Sequence, residues 1–392
     1  MHNFSIGLFG LGVVGQGFYQ ILEKTPDARA RITKIGVKHP AKSRPVSAEL
    51  LTFRPEEVLE DPQINLIVET ITEVDEAFRI LRRALELGKP VITVNKKMVA
   101  HYLPEILELQ ERYRTPVLYE GAVCGSIPII RTMDEHFGAE PLGVIEGIFN
   151  GTSNYILTRM QQENLDFASA LQQAQEAGFA ELDPASDIDG DDAKYKLILL
   201  SLHSHGHAAR PWDVLSLGIR HLRTTDLAYA RSRQARIKLL PHVRHTGPGR
   251  LAQFVMPALV PAYDPLHHID NEFNAVRVDA SFSGEQFFKG RGAGSLPTGS
   301  AIMADVQALQ NGFRYRFRKH QLNGHTVNEN DYPIQVYMSM PASSRWEDAP
   351  FAEVYSLETN DTVQVLTGQT TLKRLMGARE WLFRNEVFLM RI

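Results

Sequence analysis

The chain has 392 residues, 43% hydrophobic and 22% charged, with a net charge of −4, an ordinary balance for a globular protein of two or three domains. That mild acidity, at a sequence pI near 6.4, offers no basic face for nucleic acid or an acidic membrane surface. One cysteine, Cys124, excludes an intrachain disulfide framework and fits a reducing compartment, and no apolar run approaches the ~20 residues of a membrane span. The first residues carry no charged-then-apolar leader, so a cytoplasmic location is expected.

Phe4 to Phe9 reads as a short buried strand, and Gly10, Gly12 and Gly15 follow in G-x-G-x-x-G spacing before an amphipathic helix. In that setting Gly10 suits a tight turn, Gly12 a close backbone approach to a pyrophosphate, and Gly15 close packing of helix on strand. Leu11, Val13 and Val14 complete the turn, and the helix N-terminus would face phosphate. The pattern predicts a dinucleotide-binding unit; a glycine turn in a generic α/β unit is the plainer alternative.

The second strand, RITKIGVK, ends at Lys38, where NAD sites usually place an acid for the ribose hydroxyls. Lys38, His39, Lys42 and Arg44 instead make a basic cluster, suited to the 2′-phosphate of NADP or simply a solvated turn. INLIVETI (64–71) reads as a buried strand, DEAFRILRRALELGK as a helix ending at Gly88, and PVITVNKK as a strand with Asn95 and Lys96 at its carboxyl end. Ligands of doubly wound sheets bind at such ends, which puts Lys96 near the nicotinamide side of the crevice. A helix near 102–113 and a strand PVLYEGAV complete an alternating β-α pattern, hence a parallel sheet.

Asn150-Gly151-Thr152-Ser153-Asn154 is a cluster of turn formers and N-caps ahead of the helical YILTRMQQ. Residues 180–197, AELDPASDIDGDDAKYKL, hold six carboxylates: Glu181, Asp183, Asp187, Asp189, Asp191 and Asp192. Pro184 and Gly190 argue for an ordered loop that turns helical from about Asp191. Asp192 and Lys196 then stand four apart on one helical face. Such a pair suits proton transfer to a small polar substrate; acids capping a solvated helix start are the alternative.

Further helices are expected over about 152–161, 165–178, 192–206 and 211–218, and strands at ARIKLLPHVRH, RLAQFVMPALV, NAVRVDAS and SGEQFFKG. His203, His205 and His207 cannot share one helical face, so surface histidines, or ones supporting a site, are expected rather than a metal cluster. Cys124, beside glycine, is expected to be buried rather than nucleophilic.

Together these stretches resemble homoserine dehydrogenase. The resemblance runs through GLGVVG, the NK pair at 95–96, EGAVCGSIPII, GIFNGTSNYIL, GFAELDPASDIDGDDAKYKL, ARIKLL at 235–240, NAVRV at 274–278 and GRGAGSLPTGSAIMADV at 290–306, in the family's order over about residues 4–318. It implies a Rossmann-like doubly wound sheet in residues 1–145, rejoined by a helix at about 298–318, and an α+β catalytic and dimerisation domain in 146–297. It implies NAD(P)-dependent interconversion of L-homoserine and L-aspartate 4-semialdehyde, on the route to threonine and methionine, with NADP(H) preferred over NAD(H). With a strand already at residue 4, no N-terminal kinase domain is expected.

By position, Lys196 matches the family lysine that exchanges a proton with the substrate oxygen, and Asp192 the acid beside it. Glu181 and Asp187 match acids that hold the substrate, chiefly its amino group, and Lys96 a lysine at the cofactor–substrate junction. The implied cofactor set is Gly10 to Gly15, Lys38, Thr70, Lys96 and Gly294. Glu120, Val123, Gly125 and Ile127 match a monovalent-cation site built largely from main-chain carbonyls, expected to hold a structural sodium. A homodimer or higher homo-oligomer is expected, with a small amino-acid substrate and no nucleic-acid or membrane partner.

Residues 320–392 read as strands YPIQVYMSM, FAEVYSLE, DTVQVLTG and EVFLMRI with a helix at TTLKRLMGAREWLFRN. They suggest a small α+β unit, ACT-like but without the glycine-bearing first loop of ACT effector sites, with regulatory and structural roles both open. Relatives usually have a Gly-Gly pair where this chain has Glu69-Thr70-Ile71-Thr72-Glu73, so bulkier side chains would alter how the nicotinamide sits. Two other readings stay open: a related amino-acid semialdehyde dehydrogenase, and a catalytically silent NADP-binding sensor. The retained Asp192 and Lys196 argue against the sensor.

Overall fold

The computed structural model describes residues 3–40, 42–323 and 326–392, and the chain divides into two compact units. The first takes the chain up to Ala139, Ile198–Arg210 and Gly290–Gly324; the second takes Glu140–Leu197, Pro211–Lys289 and the rest of the chain to Ile392.

In the first unit, strands β1 (Phe4–Phe9), β2 (Ala30–Gly36), β3 (Leu51–Thr52), β4 (Leu66–Glu69), β5 (Val91–Thr93) and β6 (Val117–Leu118) form one sheet in the order β3-β2-β1-β4-β5-β6. Every pairing in it is parallel. Parallel strands need crossovers, and helices supply them. The helix Val74–Glu86 shows how: Ala77, Ile80, Leu81, Ala84 and Leu85 recur at helical spacing and are buried. Glu76, Arg79, Arg82 and Glu86 share ion pairs on its exposed side. The strand order reverses between β1 and β4, which opens a crevice at their carboxyl ends. The helix Ser295–Gln310 returns to this unit and packs on Val13–Glu23: a Cβ on Gly17 would lie 2.1 Å from the Ser295 carbonyl oxygen.

The second unit is built on a mixed sheet of eleven strands. They are β7 (Leu142–Ile148), β8 (Leu215–Ser216), β9 (Ala235–Gly247), β10 (Arg250–Pro261), β11 (Phe273–Ala280), β12 (Gly284–Arg291), β13 (Val327–Asn328), β14 (Pro333–Pro341), β15 (Glu353–Thr359), β16 (Val363–Thr371) and β17 (Phe388–Arg391). The main order is β12-β11-β7-β9-β10-β17-β14-β16-β15, with β8 and β13 also paired to β10. The C-terminal strands thus continue the same sheet through β17. Ala252, Phe254 and Met256 of β10 share a core with Ile334, Val336, Met338 and Met340 of β14, covered by Leu372, Leu375 and Leu382. Burying each such side chain contributes about 1.5–3 kcal/mol, which fastens the tail to β10.

Some expectations need correction. Residues 211–218 do not form a helix: a short turn at Pro211–Asp213 leads into β8, whose Leu215 and Ser216 pair with Phe254 and Val255. The acidic loop contains a one-turn helix, Ala185–Ile188, started by Asp183 accepting from the Ala185 N–H at 3.1 Å. β5 stops at Thr93, so Lys96 begins the helix Lys96–His101 rather than ending a strand. His203 and His205 are buried, not superficial, and Cys124 is buried as expected.

Candidate active site

The first unit's crevice is shaped by its glycines. Gly10 has φ +89°, a left-handed conformation that favours glycine. A Cβ on Gly15 would lie 2.4 Å from the Gly10 carbonyl oxygen, so only glycine lets the helix pack this closely. A Cβ on Gly12 would meet nothing within 4 Å: this face of the turn is open. Gly12 is also the N-cap of Val13–Glu23 and offers no side-chain cap, which leaves the first N–H groups of the helix for an anion. Leu11 is buried, Val14 half-buried and Val13 exposed. Thr70 closes the turn from β4, its hydroxyl donating to the carbonyls of Phe9 and Gly10 at 3.0 and 3.1 Å.

Lys38 lies just past β2 and is exposed. Arg79 chiefly, and Lys38 weakly, hold the Glu76 carboxyl below its usual range. Asn95 caps the helix that Lys96 opens, its Oδ1 accepting from the Met98 N–H at 2.9 Å. Gly294, at φ +126°, precedes Ser295–Gln310, and the Ser295 hydroxyl donates to the Val13 carbonyl at 2.9 Å.

The helix Asp191–His205, whose residues up to Leu197 belong to the second unit, carries Asp192 and Lys196 one turn apart, as their spacing requires. Lys196 Nζ donates to Asp192 Oδ2 at 2.6 Å and to the Phe149 carbonyl at 2.7 Å. Both side chains are buried. An ammonium has three N–H groups, so one remains for another acceptor. Asn150 is the residue that sequence reasoning read only as a cap. It does cap Gly151–Glu163, with Oδ1 accepting from the Ser153 N–H at 2.7 Å. Its Nδ2 also donates to Asp187 Oδ1 at 2.7 Å and Asp192 Oδ2 at 2.9 Å. One amide therefore gathers two carboxylates and a lysine. Burial, then the Asp192 charge, raises the Asp187 carboxyl above its usual range.

Other acids of the stretch are engaged elsewhere. Asp189 takes a bidentate pair from Arg220 at 2.8 and 2.7 Å, and Asp191 pairs with Lys194 at 2.7 Å. Glu181 is exposed, its carbonyl accepting from Gln175 at 3.1 Å, and no hydrogen bond among the described residues draws its carboxylate into the cluster.

The segment after β6 holds Glu120, Val123 and Ile127 in the core of the first unit, with Gly125 at φ +54°. The Glu120 carboxylate accepts from the Ile130 and Arg131 N–H groups at 2.9 and 2.8 Å. Burial raises its pKa, and burial followed by the Glu120 charge raises that of Asp305, whose carboxylate accepts the Glu120 N–H at 3.0 Å. His203 sits between the Tyr119 hydroxyl at 2.7 Å and Asp134 at 3.2 Å, a structural use of the histidine. Among the described residues no group of three His, Cys, Asp or Glu could hold a metal ion. No helix among them is long and apolar enough to cross a membrane.

A dinucleotide-type crevice and a buried lysine–carboxylate site in one chain define an oxidoreductase of the nicotinamide-dependent dehydrogenase class. The comparisons agree in detail. Residues 10–120 match the family profile described as the NAD binding domain of homoserine dehydrogenase, and residues 128–307 match that of homoserine dehydrogenase. Homoserine dehydrogenase of Bacillus subtilis is 34% identical over 347 residues, 86% of this chain and 80% of that protein. That of Synechocystis is 38% identical over 313 residues, 77% of this chain and 72% of that protein. The crystal structure of a homoserine dehydrogenase from Thiobacillus denitrificans superposes with a TM-score of 0.86 at 29% identity, covering 100% of this chain and 98% of that one. A hyperthermophilic archaeal homoserine dehydrogenase in complex with NADPH superposes at 0.69 and 26% identity, over 80% of this chain and 100% of that one. The chain belongs to the homoserine dehydrogenase family, and of the readings the sequence left open this is the one that holds.

Proposed function

We propose that Lys196 exchanges the proton on the reacting oxygen as homoserine and aspartate semialdehyde interconvert, and that Asp192 holds the ammonium in place. The observation that carries this is the buried Lys196–Asp192 contact at 2.6 Å, with one lysine N–H left over. Asn150 orients both acids through its amide. Asp187, and Glu181 from the exposed loop, supply negative charge for the ammonium of an amino-acid substrate. To Lys96, which opens the helix after β5, we assign a role toward both substrate and cofactor.

The glycine turn fits a dinucleotide: the open face at Gly12 and the uncapped helix start suit a pyrophosphate, and Gly10 to Gly15, Thr70, Lys96 and Gly294 would hold the cofactor. The nicotinamide supplies the hydride chemistry when bound. What the chain contributes is placement, exclusion of water at the buried pair, and the proton on Lys196. A basic Lys38 after β2, where an acid would favour NAD, supports NADP(H) over NAD(H).

Main-chain oxygens of Glu120, Val123, Gly125 and Ile127 are the proposed ligands of a structural sodium. The Glu120 carboxylate is already held by two N–H groups, so backbone oxygens are the donors left there. We assign nucleotide binding to residues 1–145 with the helix Ser295–Gln310, catalysis and dimerisation to 146–297, and a structural or regulatory role to 320–392. A cytoplasmic homodimer is the working assembly, supported by the single cysteine and by the family.

Lys196→Ala tests the central role. Turnover of homoserine should fall by about 10²–10⁴, the range for losing a positioned acid–base group, while nucleotide binding stays near normal. A near-normal rate in this variant refutes the assignment.

A further inference from the structure

Glu69 ends β4 inside the first unit and is completely buried, where an ionisable side chain needs a reason. Its Oε1 accepts from the Ile71 N–H at 2.5 Å and its Oε2 from the Thr93 hydroxyl at 2.5 Å. The same Thr93 oxygen accepts from the Asn95 N–H at 3.1 Å, and Asn95 Nδ2 returns to the Ile71 carbonyl at 3.1 Å. The four bonds close a ring. It joins the segment after β4, which bears Thr70, to the segment after β5, which bears Lys96. Two carbonyl bonds from the Thr70 hydroxyl then extend it to the glycine turn.

We propose that Glu69 is a positioning residue: as a carboxylate it sets the geometry of both crevice loops, and through them nucleotide affinity. This rests on the reading that Thr70 and Lys96 border the cofactor. A solely structural buried acid would gain little from this arrangement, because a neutral amide would fill the space at less desolvation cost. As a carboxylate, Glu69 offers an acceptor at both oxygens. The Ile71 N–H can only donate, and against the carboxylate the Thr93 hydroxyl donates too, while its oxygen receives the Asn95 N–H; against a neutral acid that oxygen can accept instead. Burial raises the Glu69 pKa to about 7, against the smaller opposing effects of Thr93 and Ile71. Among the described residues, its sheet partners Phe9 and Thr93, and Ile71 and Asn95 of the ring, are not ionisable. Lys96 is the first charged side chain along the second loop. Near neutrality, then, the ring changes its hydrogen-bond polarity with pH.

The test is NADPH affinity by fluorescence titration, from pH 6 to 8.5, on full-length wild type, Glu69→Gln, Thr93→Val and Thr93→Ser. Glutamine keeps the acceptor for Ile71 but places an NH₂ group against Thr93, which mimics the neutral acid. At pH 8.5, Glu69→Gln and Thr93→Val should bind about tenfold more weakly, the equivalent of one hydrogen bond, and Thr93→Ser should retain affinity. The ratio of wild-type to Glu69→Gln affinity should shrink as pH falls through about 7, since titration of the 2′-phosphate is common to both. A pH-independent ratio, or a Thr93→Ser loss equal to that of Thr93→Val, overturns the proposal. Lys96→Ala, measured alongside for its homoserine KM, reports on the underlying site reading. No change there removes the role of Lys96 and leaves the Glu69 result, read through Thr70, standing on its own.

Discussion

Lys196→Met separates the charge of the lysine from its bulk. The variant keeps an unbranched side chain of similar length and removes the ammonium. In the native protein Lys196 and Asp192 side chains are 8% and 7% exposed and 2.6 Å apart. Methionine would take the ammonium away from Asp192, whose bond from the Asn150 amide, shared with Asp187, would stay. Breaking a buried pair by removing one partner costs about 3–5 kcal/mol, because the other charge is stranded. Adding Asp192→Asn removes that stranded charge and should restore about 2 kcal/mol or more. The assay is urea unfolding followed by tryptophan fluorescence. Trp212, Trp346 and Trp381 all lie in the second unit, so the signal reports the unit that holds the pair. A double variant no more stable than Lys196→Met would falsify the stranded-charge argument.

Three further outcomes follow from the same structure. Lys38→Ala should weaken NADP much more than NAD, read as separate KM values; equal losses would count against a 2′-phosphate contact. Glu146 is buried among His242, Arg277 and Arg391; burial opposes ionisation, but these partners hold its carboxyl far below the usual range. Its lowered pKa contributes stability that is present above the unfolded value near 4.5 and lost as pH falls below it, so Glu146→Gln should cost about 3–5 kcal/mol at pH 7 and progressively less in acid. Glu69 has the opposite sign. With its pKa raised to about 7, its contribution is fully present below about 4.5 and is lost as pH rises through 7. Wild type should therefore lose up to about 3 kcal/mol between pH 4.5 and 8 relative to Glu69→Gln, and parallel unfolding curves would contradict the raised pKa.

The sequence was most legible where chemistry is local. β1 falls on Phe4–Phe9, and the glycine spacing marks its turn, because strand, turn and helix follow one another without a break. Asp192 and Lys196 could be paired on paper because helical spacing alone brings them together. Contacts across long stretches of chain could not. Asn150 meets Asp192 across 42 positions, and nothing in NGTSN says which acids its amide will find. Glu69 meets Thr93 across 24, between two strands whose register only the sheet defines. The missed strand β8 has two residues, too few to show any period, and pairing with β10 decides its state. His203 and His205 extend a run, LILLSL, that is buried all round, so their polarity misled where their position did not.

Asn150 is followed by Gly151, and that dipeptide has a chemical lifetime of its own. An asparagine before glycine loses its amide when the next backbone nitrogen attacks the side-chain carbon, since glycine has no side chain to hinder the approach. In the folded chain Oδ1 is tied to Ser153 and Nδ2 to Asp187 and Asp192, so the group is held away from that attack. Once unfolded, the chain has no such protection. The product is an acid standing where the bridging donor should be, between two other acids. Each spell of unfolding thus leaves a fraction of molecules unable to rebuild the site, even when the rest of the fold returns.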